Sequence, residues 1–450
     1  MARQYDVIIV GGGITGASLL YTLSNYSDVK KVLLLEKYDK IGGLNTSSRN
    51  NAQTLHYGDI ETNYTLEKAK STKEAAMKVL RYTSSLEKKG REKIISKCQK
   101  MVLAVGDEEI ERIENTYSLI KESFPALKKI GKTEIGRLEP NIVRKRDKGD
   151  NIKALYSGTG YMVDFERLSN SFVENTKRTR EKQYRVRLST RVTGVTKSGG
   201  IYKVSSTAGE FFARFVVFAA GTYSLYFAKS LGYDKNLSIL SIGGGFYYTP
   251  RVLRGKVYRV QKGGIPFAAI HGDPDITNPN INRFGPTVTV PLELEKGHIE
   301  TMPDYIRSFD FDMPTAVSVK RILLNEDVKR ILARNAVYGL PFIGKSFFLK
   351  NEASVIVPSL KYGDLTLSND GGIRPQIIDE EKKALVLGEG KINHDEAIFN
   401  ITPSPGATSC LVGALEDTIR ITEHLGREFY EDKYRLELGE VSTGLHYHLR

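Results

Sequence analysis

The chain has 450 residues, 40% of them hydrophobic and 26% charged, and its 66 basic and 53 acidic residues give a net charge of +13. This composition excludes a disordered or fibrous protein, and no apolar run approaches the ~18–20 residues of a membrane-spanning helix. Two cysteines, Cys98 and Cys410, with no C-x-x-C pair, exclude a disulfide framework, a zinc ribbon and an iron–sulfur cluster and suit a reducing cytosol; the basic excess suits nucleic acid, an anionic membrane surface or an anionic small substrate.

Residues 5–10 (YDVIIV) form a continuous apolar run of strand length, too short for a signal peptide and suited to a buried parallel strand. Gly11, Gly13 and Gly16 follow, then a helical pattern through Ala17, Leu19, Leu20 and Leu23, then a second strand at 31–35 (KVLLL) ending in Glu36. Residues 38–65 are polar and aperiodic, and a stretch of that length inside a domain is usually functional. From 66 to about 124 the pattern is helical. Residues 66–100 hold 11 basic and 4 acidic side chains, and residues 177–191 hold 7 and 1. Neither stretch interleaves aromatic and basic residues as an RNA module does, so a nucleic-acid partner is not expected. Two short runs, RVRL at 185–188 and YKVS at 202–205, read as strands of one hairpin. Residues 210–220 form a second buried strand leading through Ala220 and Gly221 into a helix. From 237 to about 367 short β-branched and aromatic runs separated by turn residues predict an antiparallel sheet, with GLPFIGKSFFL among its strands. The chain closes with glycine-rich sequence at 369–376 and a helix predicted to start at Ser404 and stop at Gly426.

Gly11, Gly13 and Gly16 fit G-x-G-x-x-G in its full context: a strand before, a helix after, and an acid, Glu36, 20 residues beyond Gly16 to bind a ribose hydroxyl. That acid argues against a 2′-phosphate. The chain then leaves the regular βαβ pattern of an NAD domain for a long polar loop and a helical insertion, and three separated glycine-rich segments suit an extended cofactor, FAD. The predicted class is α/β (α+β overall): a discontinuous Rossmann-like FAD-binding domain at 1–75, 155–236 and 368–450, and a mostly antiparallel substrate domain with a helical insertion at 76–154 and 237–367.

The segments SSRNNAQTLHYGDIETNYT, PFAAIHGDPD, RFGPT, GGIRPQ and NITPSPGATSCL resemble the malate:quinone oxidoreductase family, flavoproteins of the D-amino-acid oxidase and glycerol-3-phosphate dehydrogenase structural group. The resemblance implies a peripheral membrane enzyme on the inner face of the cell membrane, part of the respiratory chain. It would oxidise (S)-malate to oxaloacetate and pass electrons through FAD to quinone. That chemistry needs a base for the substrate hydroxyl and cations for two carboxylates. His271 is the expected base, with His56 the runner-up; Arg374 and Arg283 are the expected carboxylate clamps, because guanidinium binds carboxylate bidentately. Asp273 and Asp275 beside His271 are not read as metal ligands. Further cofactor contacts are expected from Thr46, Ser47, Ser48, Asn51, Ala52 and Gln53 in the polar loop and from Gly371, Gly372, Gly406, Ala407 and Thr408 near the C-terminus. Other readings stay open: oxidation of lactate or 2-hydroxyglutarate, oxygen as acceptor, an RNA-acting flavoprotein, or a non-catalytic FAD binder.

Overall fold

The computed structural model describes residues 4–261, 269–308, 317, 320, 326–338, 340, 343–382, 384–386, 390–394, 396–401, 405–441 and 447–448. Two sheets organise them. In the first, the Gln4–Val10 strand lies between Lys31–Leu35 and Gly209–Phe218, with Gln183–Arg187 beyond the former and Ala397–Ile401 beyond the latter, all five parallel. Both faces of the central strand are covered, which is why its sequence is apolar without alternation. Val7 and Ile9 join a core with the Ile14–Tyr26 and Cys410–Leu425 helices, and Ile8 and Val10 join another with Phe218 and Phe399.

The second sheet has eleven strands. Leu237–Pro250 is antiparallel to Ile373–Asp379 on one side and Ile281–Thr289 on the other. The order then runs through His271–Pro274, Lys256–Arg259, Ile95–Val105 and Ile152–Val163, with one parallel pair, Lys256–Arg259 beside Ile95–Val105.

Several expectations are corrected. The stretch 66–124 is not helical throughout: Leu66–Ser85, Lys88–Ile94 and Asp107–Ile120 are helices, but Ile95–Val105 is a strand. Met101 and Leu103 pack into one core while Val102 and Ala104 pack into another, so the buried run has no strand-like alternation to read. The runs RVRL and YKVS do not share a hairpin. Gln183–Arg187 is a parallel edge strand beside Lys31–Leu35, and Ile201–Ser206 pairs with Val192–Ser198 and Gly209–Phe218. The domain boundary at 154/155 falls inside the Ile152–Val163 strand, and the one at 367/368 precedes Ile373–Asp379; both strands belong to the second sheet. Of GLPFIGKSFFL, Ile343–Phe348 is a helix, with Gly344 and Phe348 four residues apart on its buried side; residues 339, 341 and 342 lie outside the described residues. The helix expected from Ser404 begins at Cys410 after a turn at 405–409, Ser404 lies outside the described residues, and a further helix, Glu431–Leu438, follows. Of the 11 basic residues in 66–100, Lys78 and Lys100 are buried and internally bonded. No helix among the described residues is long and apolar enough to cross a membrane.

Candidate active site

A cavity of about 400 Å³ lies between the two sheets, running from Glu36 and Gly11 to His271 and Arg374. At its first end the glycine turn is built by close approach. Gly11 has φ +108°, and a Cβ on Gly16 would run into the Gly11 carbonyl, so the helix packs on the turn only with glycine there. The Ile14–Tyr26 helix has no side-chain cap at Gly13; Thr46 Oγ1 accepts from Ile14 N at 3.0 Å, and the remaining first-turn N–H groups have no intrahelical acceptor. Glu36 Oε2 accepts from Gly12 N at 2.6 Å and Oε1 from Tyr38 N at 2.8 Å. Burial raises the Glu36 pKa, against these two hydrogen bonds. Ala220, Gly221, Gly372, Gly406, Ala407 and Thr408 line the same cavity. An open helix N-terminus, a glycine cradle and a fixed buried acid fit a pyrophosphate flanked by a ribose, and a cavity lined from Glu36 through to Arg374 suits an extended dinucleotide.

At the other end His271, 4% exposed, lines the cavity from the start of its strand. Its Nδ1 lies 2.8 Å from Asp273 Oδ2, an ion-pair distance without hydrogen-bond alignment. Lys256 Nζ reaches the same Asp273 oxygen at 3.1 Å and donates to Ala52 O at 2.9 Å. Burial pushes the Asp273 carboxyl up, but His271 and Lys256 outweigh it and hold it at about 2. Tyr258, paired with His271 across the strands, stacks tilted at 5.1 Å; burial keeps its hydroxyl well above the ordinary pKa, and Thr54 Oγ1 shares a 2.9 Å hydrogen bond with it. His56 Nδ1 lies 2.9 Å from Glu61 Oε1, and both line the cavity. Burial raises the Glu61 pKa, but His56 and Lys100 hold it low. Arg374 lines the cavity with no hydrogen-bond or ion-pair partner among the described residues. Burial lowers its pKa, opposed by Tyr64. A half-buried cation that lines the cavity, with no counter-charge among the described residues, makes this end suited to an anion.

The model for FAD dependent oxidoreductases matches residues 6–288. The malate:quinone oxidoreductase of Helicobacter pylori is 39% identical over 451 residues, covering 97% of this chain and 98% of that protein. The chain belongs to the malate:quinone oxidoreductase family. Human mitochondrial L-2-hydroxyglutarate dehydrogenase is 24% identical, covering 93% of this chain and 89% of that protein. Among solved structures, an L-alpha-glycerophosphate oxidase from Mycoplasma pneumoniae with FAD bound is similar in fold, with a TM-score of 0.63 at 18% identity, covering 94% of this chain and 95% of that one.

In this member of the malate:quinone oxidoreductase family the expected site residues divide into two groups. Gly11, Gly13, Glu36, Thr46, Asn51, Ala52, Gln53, Ala220, Gly221, His271, Gly372, Arg374, Gly406, Ala407 and Thr408 line the cavity. Gly16, Ser47, Ser48, Arg283 and Gly371 do not. Arg283 is a correction to the expected clamp: 2% exposed, it spends Nη1 on Ser48 O at 2.9 Å and Nη2 on Arg49 O at 3.1 Å, with its guanidinium 4.1 Å from the Phe246 ring. It holds the polar loop from behind. Ser47 and Ser48 are buried, and their carbonyls accept from Asn51 Nδ2 and Gln53 Nε2 inside that loop, while Gly371 N donates to Asn50 Oδ1. Sequence reasoning missed Lys256, Tyr258 and the role of Asp273. The strand HGDP carried a signal, because it sets His271 and Asp273 at i and i+2 on one face.

Proposed function

We propose that the chain oxidises the hydroxyl of (S)-malate, giving oxaloacetate, and passes the electrons to a quinone. The carrying observation is Arg374, a cavity-facing cation without a partner among the described residues, beside a histidine held by a buried carboxylate. Family membership supports the reading of that pair. When bound, FAD supplies the hydride acceptor and the store from which a quinone is reduced. Arg374 binds one malate carboxylate through its two-pronged guanidinium and orients the substrate. Asp273 occupies the Nδ1 side of His271, so Nε2 is the nitrogen that takes the hydroxyl proton, and the ionised Asp273 stabilises the imidazolium that results. Lys256 keeps Asp273 ionised. Val102, Ile242, Phe246 and Val288 line the cavity and exclude water around the transfer. The first sheet serves as the cofactor side and the second as the substrate side. A quinone acceptor implies work at a membrane surface, on the inner face, with the chain attached peripherally.

The test is anaerobic mixing of the purified flavoprotein with malate, lactate and 2-hydroxyglutarate while following flavin absorbance. Bleaching by malate at least ~100-fold faster than by the others is expected. Faster bleaching by 2-hydroxyglutarate would replace the substrate, in line with the more distant relative, and no bleaching would overturn the reading.

A further inference from the structure

Ten of the thirteen large apolar side chains that stand exposed among the described residues lie between 290 and 367. Such concentration is unusual for a solvated surface, where exposed apolar residues scatter singly. Part of this set is contiguous around Tyr247. The Tyr247 ring stacks on Phe348 at 4.4 Å, its hydroxyl donates to Tyr338 O at 3.4 Å, and Leu367 faces it in the sheet register. Phe348 and Gly344 turn inward, so Leu340, Ile343 and Phe347, at i, i+3 and i+7, share the outer side; Gly344 N donates to Leu340 O and continues the turn. Leu340, Ile343, Phe347, Tyr362 and Leu367 are each 46–57% exposed.

The charge around these side chains has one sign. Between 340 and 367 the basic residues are Lys345, Lys350 and Lys361, and the acids are Glu352 and Asp364. Glu352 is buried, bonded to the Tyr338 hydroxyl at 2.7 Å and to Arg334 at 3.2 Å. Asp364 is half-buried and accepts from Lys361 N at 2.8 Å. Lys350 and Lys361 are exposed, and Lys345 Nζ sits 4.2 Å from the Tyr362 ring. An apolar face with a basic rim and, between 340 and 367 among the described residues, no exposed acid complements a negatively charged lipid surface.

We propose that this face, built on Leu340, Ile343, Phe347, Tyr362 and Leu367 with Lys350 and Lys361 at its rim, docks the protein on a bilayer of anionic phospholipid. The proposal rests on the quinone-reducing reading, since a lipid-dissolved acceptor has to meet the protein at a bilayer. It also explains the position of the face. Phe246 lines the cavity and Tyr247, its neighbour on the same strand, carries the face, so the two lie on opposite sides of one sheet.

The experiment uses the full flavoprotein and sedimentation with phosphatidylcholine vesicles, with and without phosphatidylglycerol. Ile343→Ser with Phe347→Ser is compared with Lys88→Glu with Lys89→Glu, which alters the exposed basic stretch at 66–100. Expected results are binding to phosphatidylglycerol vesicles that salt weakens, a loss of about tenfold or more in I343S/F347S, and little change in K88E/K89E. The same double serine variant should keep malate-driven reduction of a water-soluble dye and lose reduction of a vesicle-embedded quinone. Wild-type binding by I343S/F347S, loss confined to K88E/K89E, or a wild-type dimer that I343S/F347S converts to monomer would each overturn the proposal. The dye assay without vesicles reads the malate reaction alone, so failure of the catalytic reading and failure of the docking face are separable.

Discussion

In the proposed reaction His271 and Arg374 carry different parts of the work, and substitution should separate them. In His271→Ala, FAD should stay bound while anaerobic flavin reduction by malate slows at least ~100-fold; wild-type rates would remove the histidine from the chemistry. Arg374→Lys replaces a two-pronged donor with a point charge, so the malate dissociation constant, read from spectral titration of the oxidised flavin, should rise about tenfold or more. In that reading Asp273 acts through His271, and its ion pair leaves a signature in stability. Its folded pKa of about 2 lies below the ordinary 3.8, so the folded state favours the ionised form. That stabilisation is fully present above about pH 4 and is lost as pH falls through about 2, and it amounts to about 2 kcal/mol. Denaturant unfolding from pH 5 to 2 should therefore show a steeper acid loss in wild type than in Asp273→Asn. The variant should also be weaker at pH 7 by about 3 kcal/mol, because Lys256 is left buried without its counter-charge.

At the scale of elements, the glycine turn is the least forgiving part. Gly16→Ala would press a methyl group on the Gly11 carbonyl and separate the helix from its strand. The purified variant should hold well under half of the wild-type flavin per chain, while Gly13→Ala, whose Cβ meets only Thr46 Oγ1 at 3.2 Å, should hold more. This turn was legible in the sequence because every contact that defines it is local. The strand carrying His271 was legible in kind, but its partners were not. Lys256 meets Asp273 through a register between two strands, and Gln53 Nε2 meets Asp275 Oδ2 at 3.1 Å across 222 residues of chain. Arg283 and Arg374 look alike in sequence, each beside glycine or proline near a strand. Only the fold places one of them on the cavity wall and commits the other's guanidinium to the carbonyls of Ser48 and Arg49. Ile95–Val105 escaped detection because it is buried on both faces amid helices, where an apolar run has no distinguishing period.

For the whole molecule, a cavity between two sheets makes the cofactor part of the fold's stability. Thermal unfolding of the flavin-free protein should shift upward by a few degrees when FAD is added to about 100 times its dissociation constant, a gain of about 2.7 kcal/mol. An unchanged midpoint would mean that FAD does not bind the folded chain in preference to the unfolded one. Asn45 binds both sides together: its Oδ1 accepts from Ile373 N at 3.1 Å and its Nδ2 donates to Ile373 O at 2.9 Å, linking the loop after the glycine turn to the strand of Arg374. The clasp spans 328 residues, and Thr408 closes the same cavity later still. During synthesis at ~5–20 residues per second, roughly 20–80 s separate Gly11 from Thr408. A nascent chain thus displays the phosphate turn long before it owns a place to keep a flavin. Cofactor capture waits for residues 373 and 408, and a chain cut short before residue 373 carries the fingerprint without the vessel.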